Sequence, residues 1–294
     1  MIPPPFEYLA PQTLSDVLTL VRERGPEAKL LAGGQSLIPL MKFRLASPAY
    51  LVDLQYVPGL SMLEERDGAL VIGAMVRESA IEQSLLVRRR YPGLYEASAV
   101  IADPLVRNFA TVGGNLAHAD PANDHPAMML ALRADVIAEG PNGRRRIPID
   151  EFLVDTFETS LAPDEVLVEI RVPTPQPHSG SAYLKFERKV GDYAIAAVAA
   201  QVAVDDANVC THAGIGLTNV GPKAIRAVAA ETFLAGKHMD DDAVIRGAAG
   251  LAAEAAEPSA DLRGPAAYKT QMVRTLATRA LRTAARRAME GGAG

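Results

Sequence analysis

The sequence predicts an α+β protein of three consecutive units: two small α/β units, then an antiparallel sheet followed by helices. Three observations lead there. Pro173-Thr-Pro-Gln-Pro-His-Ser-Gly180 puts three prolines in five residues, which denies the backbone both helix and ladder donors and marks a linker. Near Pro58-Gly59 the pattern changes from alternating helix and strand to hairpins. Beyond the linker, three apolar strand-like runs precede three helical patterns. The units are therefore bounded at 1–57, 58–176 and 177–294, the last with a three-stranded antiparallel sheet.

In the first unit, Thr13-Leu-Ser-Asp16 starts a helix in the manner of a capping box. Val17, Leu18, Leu20 and Val21 form its buried stripe and Gly25 its stop. Lys29–Ala32 is a short buried strand running into Gly33-Gly34, Leu37–Leu45 an irregular or helical link, and Tyr50–Leu54 the next strand. The second unit opens with strands Met62–Glu65 and Ala69–Gly73 around the turn Arg66-Asp67-Gly68. Helices follow over 78–87 and 92–101, and Asp124 caps another that carries Met128, Met129 and Leu132. A hairpin turns at Asn142-Gly143, and 166–172 is a strand. In the third unit the strands are Tyr183–Lys189, Ile195–Val204 and Val209–Thr218, and the helices lie near 222–235, 240–255 and 266–289. The last helix aligns Met272, Leu276, Ala280, Ala284 and Ala288 on one packed face.

Composition narrows the function classes. With 49% hydrophobic residues in 294, each unit can bury a core. A net charge of −5 argues against a nucleic-acid surface, which needs clustered positive charge. Arg88-Arg89-Arg90 and Arg144-Arg145-Arg146 read as solvated edges or subunit contacts. Cys210 is the single cysteine, so this chain cannot close an intrachain disulfide or ligate an iron–sulfur cluster. The N-terminal residues lack the pattern of a signal peptide, and no apolar run approaches the ~20 residues that cross a bilayer. A cytoplasmic location is the expectation, with any membrane contact made through partners.

The chemistry centres on 101–126. Thr111, Val112, Gly113, Gly114 and Asn115 set two glycines among small polar residues and read as a loop. Glycine lets a ligand approach the main chain, so successive amides can form an anion nest. Ala32, Gly33, Gly34, Gln35 and Ser36 repeat the design earlier in the chain, and two such nests can share a diphosphate. No Gly-x-Ser-x-Gly elbow, Gly-x-Gly-x-x-Gly fingerprint or Walker A lysine loop is present, which disfavours a serine hydrolase, a Rossmann site and a P-loop NTPase. His118, Asp120, Asp124 and His125 are metal-ligand types, yet Pro121 and Pro126 keep them off one helix face. Asp124 serves better as an acceptor for ribose or ribityl hydroxyls, or as a helix cap. Lys185 reads equally as exposed or functional, and Tyr193 as core or cofactor contact.

Ala32-Gly-Gly-Gln-Ser36, Ile101-Ala-Asp-Pro104, Thr111-Val-Gly-Gly-Asn115 with Asp120-Pro121 and Asp124, and Gly191-Asp-Tyr-Ala194 together resemble the FAD-binding subunits of the molybdenum hydroxylases, the xanthine dehydrogenase family. Leu37-Ile-Pro39, Leu51-Val-Asp53 and Leu217-Thr-Asn219 draw the likeness toward the medium subunits of aerobic carbon monoxide dehydrogenases. The resemblance implies a vanillyl-alcohol-oxidase (PCMH)-type fold of two α/β subdomains with FAD between them, plus a C-terminal domain. It implies that 32–36 and 111–115 cradle the pyrophosphate and that Asp124 binds the sugar portion. It further implies that Ile101 packs near the isoalloxazine, Lys185 sits by its polar edge and Tyr193 covers one face. The implied partners are a large molybdenum-cofactor subunit and a small [2Fe-2S] subunit, in a dimer of heterotrimers. Electrons would pass through FAD to an external acceptor, a quinone or another carrier, with no acid–base residue of this chain acting on the substrate.

Overall fold

The computed structural model describes residues 2–291. Its first sheet is parallel and small. Strand β1 (Glu7–Leu9) leads into α1 (Leu14–Arg24), then β2 (Ala28–Leu31), α2 (Leu37–Lys42) and β3 (Tyr50–Asp53), with β3 central between β1 and β2. The α1 start follows the local chemistry read from the sequence: Thr13 Oγ1 accepts the Asp16 amide at 3.1 Å and donates to its carboxylate at 2.7 Å. Strand β1 carried no sequence signal, being three mostly exposed residues after prolines.

The second sheet is antiparallel in the order β4-β5-β10-β6-β7. Strands β4 (Leu63–Arg66) and β5 (Ala69–Gly73) form the expected hairpin. Helices α3 (Glu78–Gln83) and α4 (Leu85–Arg90) replace the single helix expected over 78–87. Ser84 divides them, ending α3 and capping α4 by accepting the Val87 amide. Then come α5 (Pro92–Ala99), α6 (Pro104–Arg107), α7 (Val112–His118) and α8 (Asp124–Ala131). Strands β6 (Asp135–Gly140) and β7 (Gly143–Pro148) turn at Asn142-Gly143 as expected. A short helix α9 (Ile149–Phe152), a two-stranded ribbon of β8 (Leu153–Asp155) and β9 (Glu158–Thr159), and β10 (Val166–Pro173) complete this region.

The third sheet joins β11 (Ser179–Glu187), β12 (Ala194–Val204), β13 (Cys210–Thr218) and β14 (Ile225–Arg226) in sequence order. It has four strands where three were expected, because Ile225 and Arg226 pair with β13 instead of opening a helix at 222. Helices α10 (Val228–Leu234), α11 (Asp242–Glu254) and α12 (Ala266–Met289) close the chain.

Strand β12 is alanine-rich because both of its faces are covered. Ala197 and Ala199 face the core shared with α5 and α8, while Ala196, Val198, Ala200 and Val202 face α12, behind which α11 packs. Close approach continues on β13, where a Cβ on Gly216 would lie 1.9 Å from the Ala127 carbonyl of α8. The C-terminal sheet thus seats α8 directly, and α8 begins with Asp124. The first sheet is tied in differently: Val166 and Val168 of β10 share a core with Val17, Val52 and Leu54.

Candidate functional site

The two diglycine segments meet. A Cβ on Gly33 would fall 2.1 Å from the Phe109 carbonyl, so the first loop rests against the chain entering the second. A Cβ on Gly114 would lie 3.5 Å from that of Ala32. Between them opens a cavity of about 720 Å³, the size of a dinucleotide site. Ala32, Gly33, Gly34, Gln35, Ser36, Ile101, Thr111, Gly113, Gly114, Asn115, Asp124, Lys185 and Tyr193 all line it. Val112 does not; its side chain is fully buried beneath the wall.

The segments differ in what they offer. In 33–36 the amides of Gly33, Gly34, Gln35 and Ser36 have no hydrogen-bond partner among the described residues, and Gly34 takes φ +74°, which favours glycine. Segment 111–115 is not the loop expected. Thr111 is the N-cap of α7, accepting the Gly114 amide at 3.1 Å, and both glycines lie in the first helical turn. Its amides are spent: Val112 donates to Val76, Gly113 to Ala74 and Asn115 to Thr111. An amide nest therefore exists on the first segment only. The second contributes a wall and the Oδ1 atom of Asn115, a buried acceptor with no partner among the described residues.

Asp124 stands in the first turn of α8 and does not cap it; Asn123 holds the N-cap position without a side-chain bond to the helix amides, its Nδ2 donating instead to the Asn115 carbonyl at 2.8 Å. The Asp124 carboxylate accepts the Tyr183 hydroxyl at 2.6 Å and the Lys185 ammonium at 3.0 Å. Burial pushes its pKa up, and Lys185 and then Tyr183 oppose that shift. Lys185 also donates to the Val100 carbonyl at 3.0 Å and lies 3.4 Å from Glu187. Its Nζ thus donates to Asp124 and Val100, while Glu187 Oε2 accepts no hydrogen bond among the described residues, and Lys185 itself lines the cavity beside Asp124.

Tyr193 is 47% exposed, with the Arg263 guanidinium 5.6 Å from its ring centre. Burial first, then the Asp120 charge, raises its phenol. The loop before it lies against the turn after Ile101: a Cβ on Gly191 would be 2.6 Å from the Ala102 carbonyl. Ala102 and Ala119, which follow the lining residues Ile101 and His118, both hold positive φ. Backbone strain of that kind costs about 1–3 kcal/mol per residue and collects at functional sites.

The four metal-ligand types do not gather. His118 lines the cavity beside the Phe157 ring, 5.1 Å away, and burial lowers its pKa. His125 turns into the core, where its Nε2 meets Glu78 at 2.6 Å with both side chains fully buried. Tyr183 was not picked out from the sequence. Its signal was present, because Tyr183, Lys185 and Glu187 alternate along one face of β11.

A family model described as the FAD binding domain in molybdopterin dehydrogenase matches residues 4–175, and one described as the CO dehydrogenase flavoprotein C-terminal domain matches 181–284. The carbon monoxide dehydrogenase medium chain of Hydrogenophaga pseudoflava is 46% identical over 97% of this chain and 98% of its own. The 6-hydroxypseudooxynicotine dehydrogenase complex subunit alpha of Paenarthrobacter nicotinovorans is 40% identical over 98% of this chain and 97% of its own. Among solved structures, the Hydrogenophaga pseudoflava carbon monoxide dehydrogenase lacking the Mo-pyranopterin moiety superposes with a TM-score of 0.94, over 98% of this chain and 99% of that one. These matches establish the PCMH-type fold. The chain belongs to the FAD-binding medium subunits of the molybdenum hydroxylases, a family of oxidoreductase subunits, and its cofactor is FAD.

Proposed function

We propose that this chain is the electron-transfer flavoprotein subunit of a heterotrimeric molybdenum hydroxylase of the carbon monoxide dehydrogenase type. The observation that carries the reading is the cavity itself: a run of amides at 33–36, unpaired among the described residues, faces a wall built by 111–115, with the hydrogen-bonded Asp124 and Lys185 and with Tyr193 lining the same space. The amides of 33–36 bind the diphosphate. Thr111 to Asn115, with Val112 as support, close the other side, and Asn115 Oδ1 accepts a ligand hydroxyl or N–H. Asp124 accepts from the polar groups of the cofactor, held by Lys185, while Ile101 and Tyr193 flank the isoalloxazine. When bound, FAD supplies a group that takes up electrons singly and releases them to an acceptor.

The partners follow from what the chain lacks. One cysteine cannot hold iron–sulfur clusters, so a small [2Fe-2S] subunit delivers the electrons, and a large molybdenum-cofactor subunit oxidises the substrate. Exposed Phe43, Leu45, Leu105 and Phe109 lie on the segments after Ser36 and before Thr111, and offer apolar surface near the cavity for docking. The complex is a cytoplasmic dimer of heterotrimers that passes electrons to a quinone or similar carrier and meets the membrane through its partners. No helix among the described residues is long and apolar enough to span one. The chain divides at 1–57, 58–176 and 177–294. Affinity purification from the native host should recover a flavin-, iron- and molybdenum-containing complex that reduces its flavin on addition of carbon monoxide. A flavin-loaded chain that oxidises an organic substrate with no other polypeptide present would instead make it a free-standing oxidoreductase.

A further inference from the structure

Asp124 is a buried carboxylate of the cavity whose two oxygens are both held by side chains of β11. Its Oδ1 accepts the Tyr183 hydroxyl at 2.6 Å and its Oδ2 the Lys185 ammonium at 3.0 Å. Tyr183 does not line the cavity; it is buried in β11, and its oxygen lies 3.4 Å from the Thr218 hydroxyl of β13. A phenol has one proton, and here it points to Asp124, so Thr218 is the donor in the second contact. Two strands of the C-terminal sheet thereby orient a side chain carried on α8.

We propose that Tyr183, seated by Thr218, is a positioning residue that fixes which face of the Asp124 carboxylate meets the cofactor and holds that group as a charged acceptor. The inference rests on the FAD-site reading above and deepens it. A buried carboxylate accepts strongly from a hydroxyl or imide N–H of the ligand only while it is ionised; protonated, it offers a donor and a weaker acceptor. Burial favours the protonated form. Lys185 and Tyr183 work against it, and without the phenolic proton Lys185 does so with less help.

The other groups that bear on Asp124 are named by the geometry. Glu187, also on β11, lies 3.4 Å from the Lys185 ammonium and competes for it. His125, the next residue of α8, adds positive charge when protonated and is itself paired with Glu78 of α3. Tyr193 senses the Asp124 charge, as its own upward shift includes a contribution from it together with Asp120 and Asp192. Tyr183→Phe leaves all of these in place and removes one hydroxyl.

The test uses the assembled complex, with FAD dissociation followed by flavin fluorescence across pH alongside thermal melting. Tyr183→Phe should weaken FAD binding about tenfold on the acid side, in keeping with loss of one hydrogen bond to a charged group, and move the acid limb of the binding profile to higher pH. Thr218→Val should move it the same way by less. Adding Asp124→Asn to Tyr183→Phe should abolish the shift. A Tyr183→Phe complex whose affinity falls equally at every pH, or only in step with its melting temperature, would overturn the proposal by reducing Tyr183 to packing. A wild-type complex that carries no flavin would overturn both this inference and the site reading beneath it.

Discussion

Gly33 shows how much one hydrogen atom decides at this site. Its missing side chain lets the amide-bearing loop rest on the Phe109 carbonyl, where a Cβ would intrude to 2.1 Å. Backbone is the obstacle, so relief requires the two segments to part, at about 1–3 kcal/mol for overpacking of this kind. Gly33→Ala should weaken FAD binding at least about tenfold, each tenfold being about 1.4 kcal/mol, while circular dichroism of the purified chain stays unchanged. Stoichiometric flavin in that variant would remove 33–36 from the binding surface. His125 raises a separate question of pH. Burial pushes its pKa down, but the charge and hydrogen bond of Glu78, with Asp124 behind, outweigh that and raise it. A raised folded value means that the pairing stabilises fully below the ordinary histidine pKa of about 6.5 and fades as pH climbs through the folded value. Glu78→Gln should therefore lower the melting temperature more at about pH 6 than in the alkaline range, since removing one partner of a buried ion pair costs about 3–5 kcal/mol. A deficit independent of pH would show that His125 stays neutral. Of the two neighbours, Asp124 stood out in the sequence and lines the cavity, whereas the inward turn of His125 was not legible, since nothing local tells a buried imidazole from a ligating one.

At the scale of elements, most starts and stops could be read because they rest on local chemistry: Thr13 caps α1, Gly25 ends it, and Asn142-Gly143 turns β6 into β7. Segment 111–115 was misread for a physical reason. Two glycines cost about 1 kcal/mol each in a helix relative to alanine, so local propensity favours a loop. Tertiary packing overrides it here, because a Cβ on Gly113 would lie 2.6 Å from the Ala74 backbone and only glycine lets α7 approach β5 so closely. Thr111 then supplies the cap. Thr111→Ala should cost about 1 kcal/mol in denaturant unfolding and loosen FAD, because the first turn of α7 is the cavity wall. Unchanged stability together with unchanged affinity would mean that packing against Ala74 alone holds the turn. The split at Ser84 and the extra strand β14 escaped notice because each rests on a detail that periodicity does not show, one hydroxyl in the first case and a short pairing with the preceding strand β13 in the second.

At the scale of the whole molecule, the three larger sheets are separate in hydrogen bonding but not in packing. Val166 and Val168 join the first core to the second sheet, and β12 divides its faces between the second core and the C-terminal helices. The cavity draws on all three regions, from Val21 to Leu54, from Ala74 to Leu167, and from Lys185 to Tyr193. The succession of the three larger sheets along the chain was visible in its prolines and changing periodicity, but this convergence was not, since it depends on how alanine faces and glycine approaches let the layers close. A ligand held by three regions should stabilise all of them together. At a hundredfold excess over its dissociation constant, FAD should add about 2.7 kcal/mol and raise the melting temperature by several degrees. Hydrogen exchange should slow in 33–36, in 111–118 and in 183–193 at the same FAD concentration, and the C-terminal sheet should share the gain through Thr218 and Tyr183. Protection confined to 33–36 would mean that the C-terminal unit is only a neighbour of the flavin, and that its close seating of α8 serves assembly instead of binding.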